Sequence, residues 1–239
     1  MEAVINILFI DIETKPMLVY SWGTFKQNIS INQIKEDWQI ISYAAKWKGK
    51  DKIFYCDMRK QKTDKKLVKQ IWKLLDKADV IVTQNGISFD QKKINARFIE
   101  HNMKPTSSYK HIDTYRIAKK HFAFSSNKLE WMASILNKKH FKMKTEGFEL
   151  WKGCMNDELN AWKKIEKYNK ADILALEELY YKLYPWDNKI DFMLHTGKCH
   201  CGSYKYIKKG FALTEKGKYQ RYKCTKCGSE TRDGKNLLK

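Results

Sequence analysis

An α/β domain with a mixed sheet flanked by helices, followed by a small cysteine-held module, is predicted by three features of this 239-residue sequence. Three or more runs rich in β-branched and aromatic residues come early. Short apolar runs then alternate with helical spacing, a pattern that lays helices on a sheet. Four of the six cysteines gather near the C-terminus, as Cys199, Cys201, Cys224 and Cys227.

The first run, NILFIDIETKP, reads as a buried strand closed by Pro16. Residues 39–57 read as a hairpin turning at the Lys-Gly-Lys-Asp segment around Gly49. KKLVKQIWKLLDKA spaces Leu67, Ile71, Leu74 and Leu75 as one helical face, and DVIVTQ is a short strand behind it. A helix in QKKINARFIEHN ends before Pro105, and YKHIDTYRI is a strand passing into a helix. KLEWMASILN is a short amphipathic helix; two further helices, around 156–167 and 169–183, close at Pro185. Residues 187–197 are the expected linker between a domain over 1–187 and a module over 196–239.

The balance of 47 Lys and Arg against 27 Asp and Glu gives a net charge of +20, a field that favours a polyanion such as nucleic acid. A Lys-rich surface without such a partner is the plain alternative. With 43% hydrophobic and 13% aromatic residues the chain is globular. It lacks a run of eighteen apolar residues, and its start lacks a basic region with a cleavage site, so a soluble, non-secreted protein with no membrane partner is expected.

Side chains two apart on a strand share a face, so Asp11 and Glu13 project together, opposite Ile10 and Ile12. Two adjacent anions need a positive partner, either a hard cation bound by oxygen or a lysine, unless the strand end is solvated. Asp90 stands where NGISFD passes from a strand into a helix, as a site residue, a helix cap, or both. Tyr168 and Asp172 are four apart on a helix and therefore share a face, with Leu174, Leu176 and Leu179 turned to the core.

In this order the motifs FIDIET, Asn85-Gly86-Ile87-Ser88-Phe89-Asp90, and Tyr168 to Asp172 resemble those of the DEDD 3′–5′ exonucleases, in the subclass whose third motif carries tyrosine. The match covers roughly residues 5–184. It is similar to the proofreading domains of family B DNA polymerases and, more closely, to stand-alone ribonuclease H-like exonucleases of phages and bacteria in which a zinc ribbon follows.

The resemblance implies a ribonuclease H-like fold and two Mg²⁺ or Mn²⁺ ions held by Asp11, Glu13, Asp90 and Asp172. By it, Asp11 bridges both ions, Glu13 and Asp172 complete the site of the attacking water, and Asp90 holds the second ion. Tyr168 orients that water, and Asn85 and Phe89 contact the terminal nucleotide, Phe89 being a core candidate as well. Asp113 is expected to be structural or to support the ligands. A cytoplasmic location, in a bacterial or phage-infected cell, follows from the same resemblance.

Cys-x-x-Cys-Gly at 224–228 is the spacing of a zinc knuckle, and Cys199 with Cys201, one residue apart, is the irregular other half of a structural Zn²⁺ site. His200 is the alternative ligand there. Residues 198–239 carry twelve Lys and Arg against three acids, a net of +9, interleaved with Tyr204, Tyr206, Phe211, Tyr219 and Tyr222. So small a segment buries little, which is why a metal would hold it together. The expected function is a nuclease acting on single-stranded nucleic acid, DNA first and RNA second. A catalytically silent or weak nucleic-acid-binding module is the alternative from another class, and a structure-selective or RNA-directed nuclease of the same fold the alternative within it.

Overall fold

The computed structural model describes residues 5–187 and 190–238. Strand β1 (Ile7–Thr14) is the middle of a five-stranded sheet. A two-stranded ribbon of β2 (Leu18–Val19) and β3 (Ile34–Glu36) follows it. β4 (Ile40–Trp47) pairs antiparallel with β1 and carries β5 (Ile53–Asp57) at the edge. On the other side β6 (Val80–Thr83) runs parallel to β1, and β7 (Lys110–Asp113) runs parallel to β6.

Alternation along β1 sorts its side chains into two cores. Leu8, Ile10 and Ile12 pack with α1 (Lys65–Leu75) and with Ile94 and Phe98 of α2 (Asp90–Glu100). Ile7 and Phe9 face α3 (Thr114–His121), α4 (Leu129–Leu136) and the long α6 (Leu159–Leu183), where Tyr180 meets Phe9 edge-on at 5.4 Å. α5 (Phe148–Met155) packs against the first turns of α6 through Leu150 and Cys154.

Three expectations need correcting. The separate helices expected at 156–167 and 169–183 are one helix of 25 residues, because Asn169 spends its side chain on Ser42 and Asp11 rather than on its own backbone. Leu176 and Leu179 are core as expected, whereas Leu174 is only half-buried. The stretch 187–197 also holds a helix, α7 (Phe192–Thr196), seated by Phe192 edge-on to Tyr184 at 5.4 Å.

Beyond it, β8 (Tyr206–Thr214), β9 (Gly217–Cys224) and β10 (Glu230–Asn236) form an antiparallel three-stranded sheet. Among the described residues no helix is long and apolar enough to cross a membrane.

Leu67 on α1 is fully buried and its neighbour Lys66 is exposed. Leu67→Ala is expected to cost about 2–5 kcal/mol and Lys66→Ala less than about 0.5 kcal/mol, read from urea denaturation midpoints.

Candidate active site and cysteine centre

Asp11 and Glu13 leave β1 on the face that carries Phe9, toward α6, and one turn beyond Tyr168 that helix brings Asp172 to meet them. One oxygen from each of the three carboxylates lies within 4.8 Å of the others. Asp90 opens α2 beside them but outside that set. Its Oδ1 accepts from the Ile12 N–H at 3.2 Å, a donor that lies beyond the last residue of the β1–β6 ladder.

Three groups that sequence reading passed over complete the arrangement. Asn169 donates from Nδ2 to Asp11 Oδ2 at 2.6 Å and accepts from Ser42 Oγ at 3.1 Å. Trp151 of α5 donates to Glu13 Oε2 at 3.2 Å, with its ring edge-on to Tyr168. Lys142 places Nζ 2.8 Å from Asp172 Oδ2 and 4.7 Å from the centre of the Tyr168 ring. Lys142 sits in an irregular, lysine-rich segment, where no periodicity marks one lysine from the next. Asn169 adjoins the Tyr168 to Asp172 motif, so its place on the helix was the one available signal.

The electrostatics follow from crowding in a place with little water. Burial, then the charges of Asp90, Glu13 and Asp172, drives the Asp11 carboxyl well above its ordinary range. Burial and Asp172 lift Glu13 to about 8, and burial lifts Asp90 to about 7. Asp172 is raised by burial, against the pull of Lys142. Tyr168 is pushed up by burial and by Asp172, so it is a neutral phenol at physiological pH.

These residues fit a divalent cation. The donors are all hard oxygens. Asp172 Oδ1 is buried and has no hydrogen-bond partner among the described residues.

The loop before α2 is built around its backbone. Asp113 caps α3 through the Tyr115 N–H at 3.0 Å and also accepts from the N–H groups of Asn85 at 2.8 Å and Ile87 at 3.2 Å. A Cβ on Gly86 would stand 2.3 Å from Thr83 Oγ1, so only glycine lets this loop pass so close to β6. Asn85 and Gln84 line a cleft of about 300 Å³ whose floor includes Asp11, Asp172 and Lys142. Phe89 is 42% exposed and so does not belong to the core.

At the other end of α6 the thiols of Cys199, Cys201, Cys224 and Cys227 lie within 4.8 Å of one another. Cys199 and Cys227 are 3.5 Å apart and Cys201 and Cys224 3.8 Å, close to the roughly 3.8 Å that four sulfurs about 2.3 Å from one zinc would show. Gly202 and Gly228, both at positive φ, donate back to the carbonyls of Cys199 and Cys224, which closes each knuckle. The irregular half-site therefore still delivers both sulfurs. His200 turns instead into the α/β domain, edge-on to Tyr184 at 4.6 Å, with Nε2 3.5 Å from Cys227 Sγ.

A family model described as the RNase_H superfamily matches residues 8–184, about three quarters of the chain. Among solved structures, the family B DNA polymerase from the hyperthermophilic archaeon Pyrobaculum calidifontis is similar to this chain at 16% identity and a TM-score of 0.52. The match covers 77% of this chain and 25% of the polymerase, so the chain spans about a quarter of that protein's length. No curated protein matches.

A carboxyl whose pKa is higher folded than unfolded holds more protons in the folded state, so the Glu13 contribution to stability falls as pH rises from about 4.5 to about 8. In metal-free protein Glu13→Gln is expected to melt higher than wild type at pH 8, by roughly 2–4 °C for each kcal/mol relieved, and to match it at pH 4. Thermal melts across pH read this directly. For the cysteine centre, elemental analysis is expected to find about one zinc per chain, lost in Cys224→Ser together with the near-ultraviolet signal of the C-terminal tyrosines.

Proposed function

From a chain that belongs to the ribonuclease H superfamily, we propose a metal-dependent 3′–5′ exonuclease of the tyrosine subclass that hydrolyses single-stranded nucleic acid, DNA in preference to RNA. The observation that carries this reading is the convergence of Asp11, Glu13 and Asp172 within 4.8 Å, with Asp172 Oδ1 buried and unpartnered among the described residues. Structural carboxylates are rarely crowded in this way, because repulsion and burial both oppose it.

Two Mg²⁺ or Mn²⁺ ions bound there would supply Lewis acidity and a deprotonated water. Asp11, Glu13 and Asp172 hold the water side of the site, and Asp90, with one oxygen kept by Ile12, offers the other to the leaving-group side. Asn169 and Trp151 fix the angles of Asp11 and Glu13. Tyr168 keeps its proton and orients the water by hydrogen bonding. Lys142 adds positive charge where the scissile phosphate must approach three anions. The exposed Phe89 offers a ring for the terminal base, and Asn85 lines the cleft that the end would fill. The basic zinc ribbon supports a grip on phosphates that is indifferent to sequence.

Oligonucleotides of DNA and RNA carrying either a 5′ or a 3′ label test the reading in the presence of Mg²⁺ or Mn²⁺. A ladder shortening from the 3′ end is expected, faster on DNA, and Asp11→Ala or Asp172→Ala should lower the rate at least about a thousandfold, while Tyr168→Phe should lower it about 10²–10⁴-fold. Tight binding without cleavage under every metal overturns the assignment.

A further inference from the structure

On the sheet face opposite the carboxylates, α1 presents a row of lysines. Lys65, Lys66, Lys69 and Lys73 are exposed, form no ion pair among the described residues, and with Lys62 line a groove of about 600 Å³. The helix cannot turn them away, because its other face buries Leu67, Val68, Ile71 and Leu75. Lysines at 66, 69 and 73 step three or four residues at a time, about 5–6 Å between neighbours on a helix, so the row presents spaced positive charges to a chain of phosphates, with Lys62 in the bend just before the helix.

Gln61 and Lys62 also line a second cavity, of about 1050 Å³, so the two spaces adjoin at these residues. None of the four site carboxylates lines the second cavity, but chain neighbours of Glu13 and of Trp151 do. It is bounded by Lys15, two residues after Glu13, and by Phe148 and Lys152 of α5, the helix that brings Trp151 to Glu13.

The acids in this cavity are all engaged. Glu36 pairs with Lys15 at 3.0 Å and Glu100 with Arg97. Asp157 accepts from Trp162 Nε1 at 2.9 Å and Asp37 from the Trp38 N–H at 2.7 Å. Asp37 and Asp157 keep their charge, and against these two stand Lys60, Lys62, Lys65, Lys66, Lys69 and Lys73, none of them in an ion pair among the described residues, so the balance of the lining along the path is positive.

We infer that this path is a track for the body of the substrate: a single-stranded polynucleotide with its end at the carboxylates runs past α5 and Lys62 onto the α1 lysines. The inference rests on the nucleic-acid reading of the carboxylate site. Contacts of this kind go to phosphates, so they add affinity in proportion to strand length and leave the chemistry at the end unchanged.

The test compares wild type with a Lys65→Gln, Lys66→Gln, Lys69→Gln and Lys73→Gln variant, glutamine keeping the helix propensity of lysine. Fluorescence anisotropy across salt concentrations reads binding of strands of about 4 and about 30 nucleotides. With about 0.7 lost per phosphate contact, the salt slope for the long strand should become shallower by about 3 and its affinity should fall at least tenfold. Affinity for the short strand, its rate of hydrolysis and the melting temperature should stay as in wild type. A variant with Lys69→Gln and Lys73→Gln alone should show about half the change in slope. An unchanged slope overturns the track, and so does polyglutamate that competes as well as the strand, which would make the occupant an acidic polypeptide. Lysine-dependent binding of long strands with no hydrolysis of any strand would overturn the nuclease reading and leave the track standing.

Discussion

Four carboxylates gathered in a buried corner of the sheet repel one another, and the rest of the molecule is arranged to hold them there. Their positions are fixed on the stiffest parts available: Asp11 and Glu13 on the central strand, Asp172 in the middle of a 25-residue helix, Asp90 at the first residue of another. A strand paired with β4 along its whole length and with β6 as far as Phe9 cannot move its carboxylates apart, and a helix packed on Phe9 and Val82 cannot draw back. The relief available without a metal is local. Lys142 shares its charge with Asp172, Asn169 and Trp151 donate to Asp11 and Glu13, and burial together with the neighbouring carboxylates raises the pKa of both.

α6 is the mechanical link between this corner and the cysteine module. Its middle turns carry Tyr168, Asn169 and Asp172, and its last turns carry Tyr180 and Tyr184, whose rings enclose His200 at 5.8 and 4.6 Å. His200 stands between two of the four cysteines, and Lys48 donates to its carbonyl from the end of the β4 segment. Phe192 of α7 closes the same aromatic cluster. The module therefore docks through buried rings and one buried imidazole, which burial keeps neutral by lowering its pKa to about 4. The residue that breaks the Cys-x-x-Cys pattern thus anchors the module.

What the sequence makes legible here is periodic or local. Alternation in NILFIDIETKP places two carboxylates on one face, and the four-residue step from Tyr168 to Asp172 places two more groups on one helix face; both are consequences of backbone geometry. The order of strands and helices yields the mixed sheet for the same reason. Lys142 and Trp151 are different: one lies in an irregular segment and the other on a helix with weak spacing, and each reaches its carboxylate across 30 or more residues of chain. Such contacts are set by tertiary packing, to which a single sequence gives no periodic clue. Asn169 misleads in the opposite direction, since a residue that usually disfavours helix interiors is held inside one by partners on β1 and β4.

Asp90 shows how closely scaffold and site are joined. β6 stops at Thr83 while β1 runs on to Thr14, so the Ile12 N–H has no strand to bond. Asp90 fills that place with Oδ1, which fixes the start of α2 against β1. The loop that delivers it is held in turn by Asp113 through two backbone N–H groups and by the absence of a Cβ at Gly86. The carboxylate that stands outside the 4.8 Å cluster is therefore the one that also bonds the open end of the sheet.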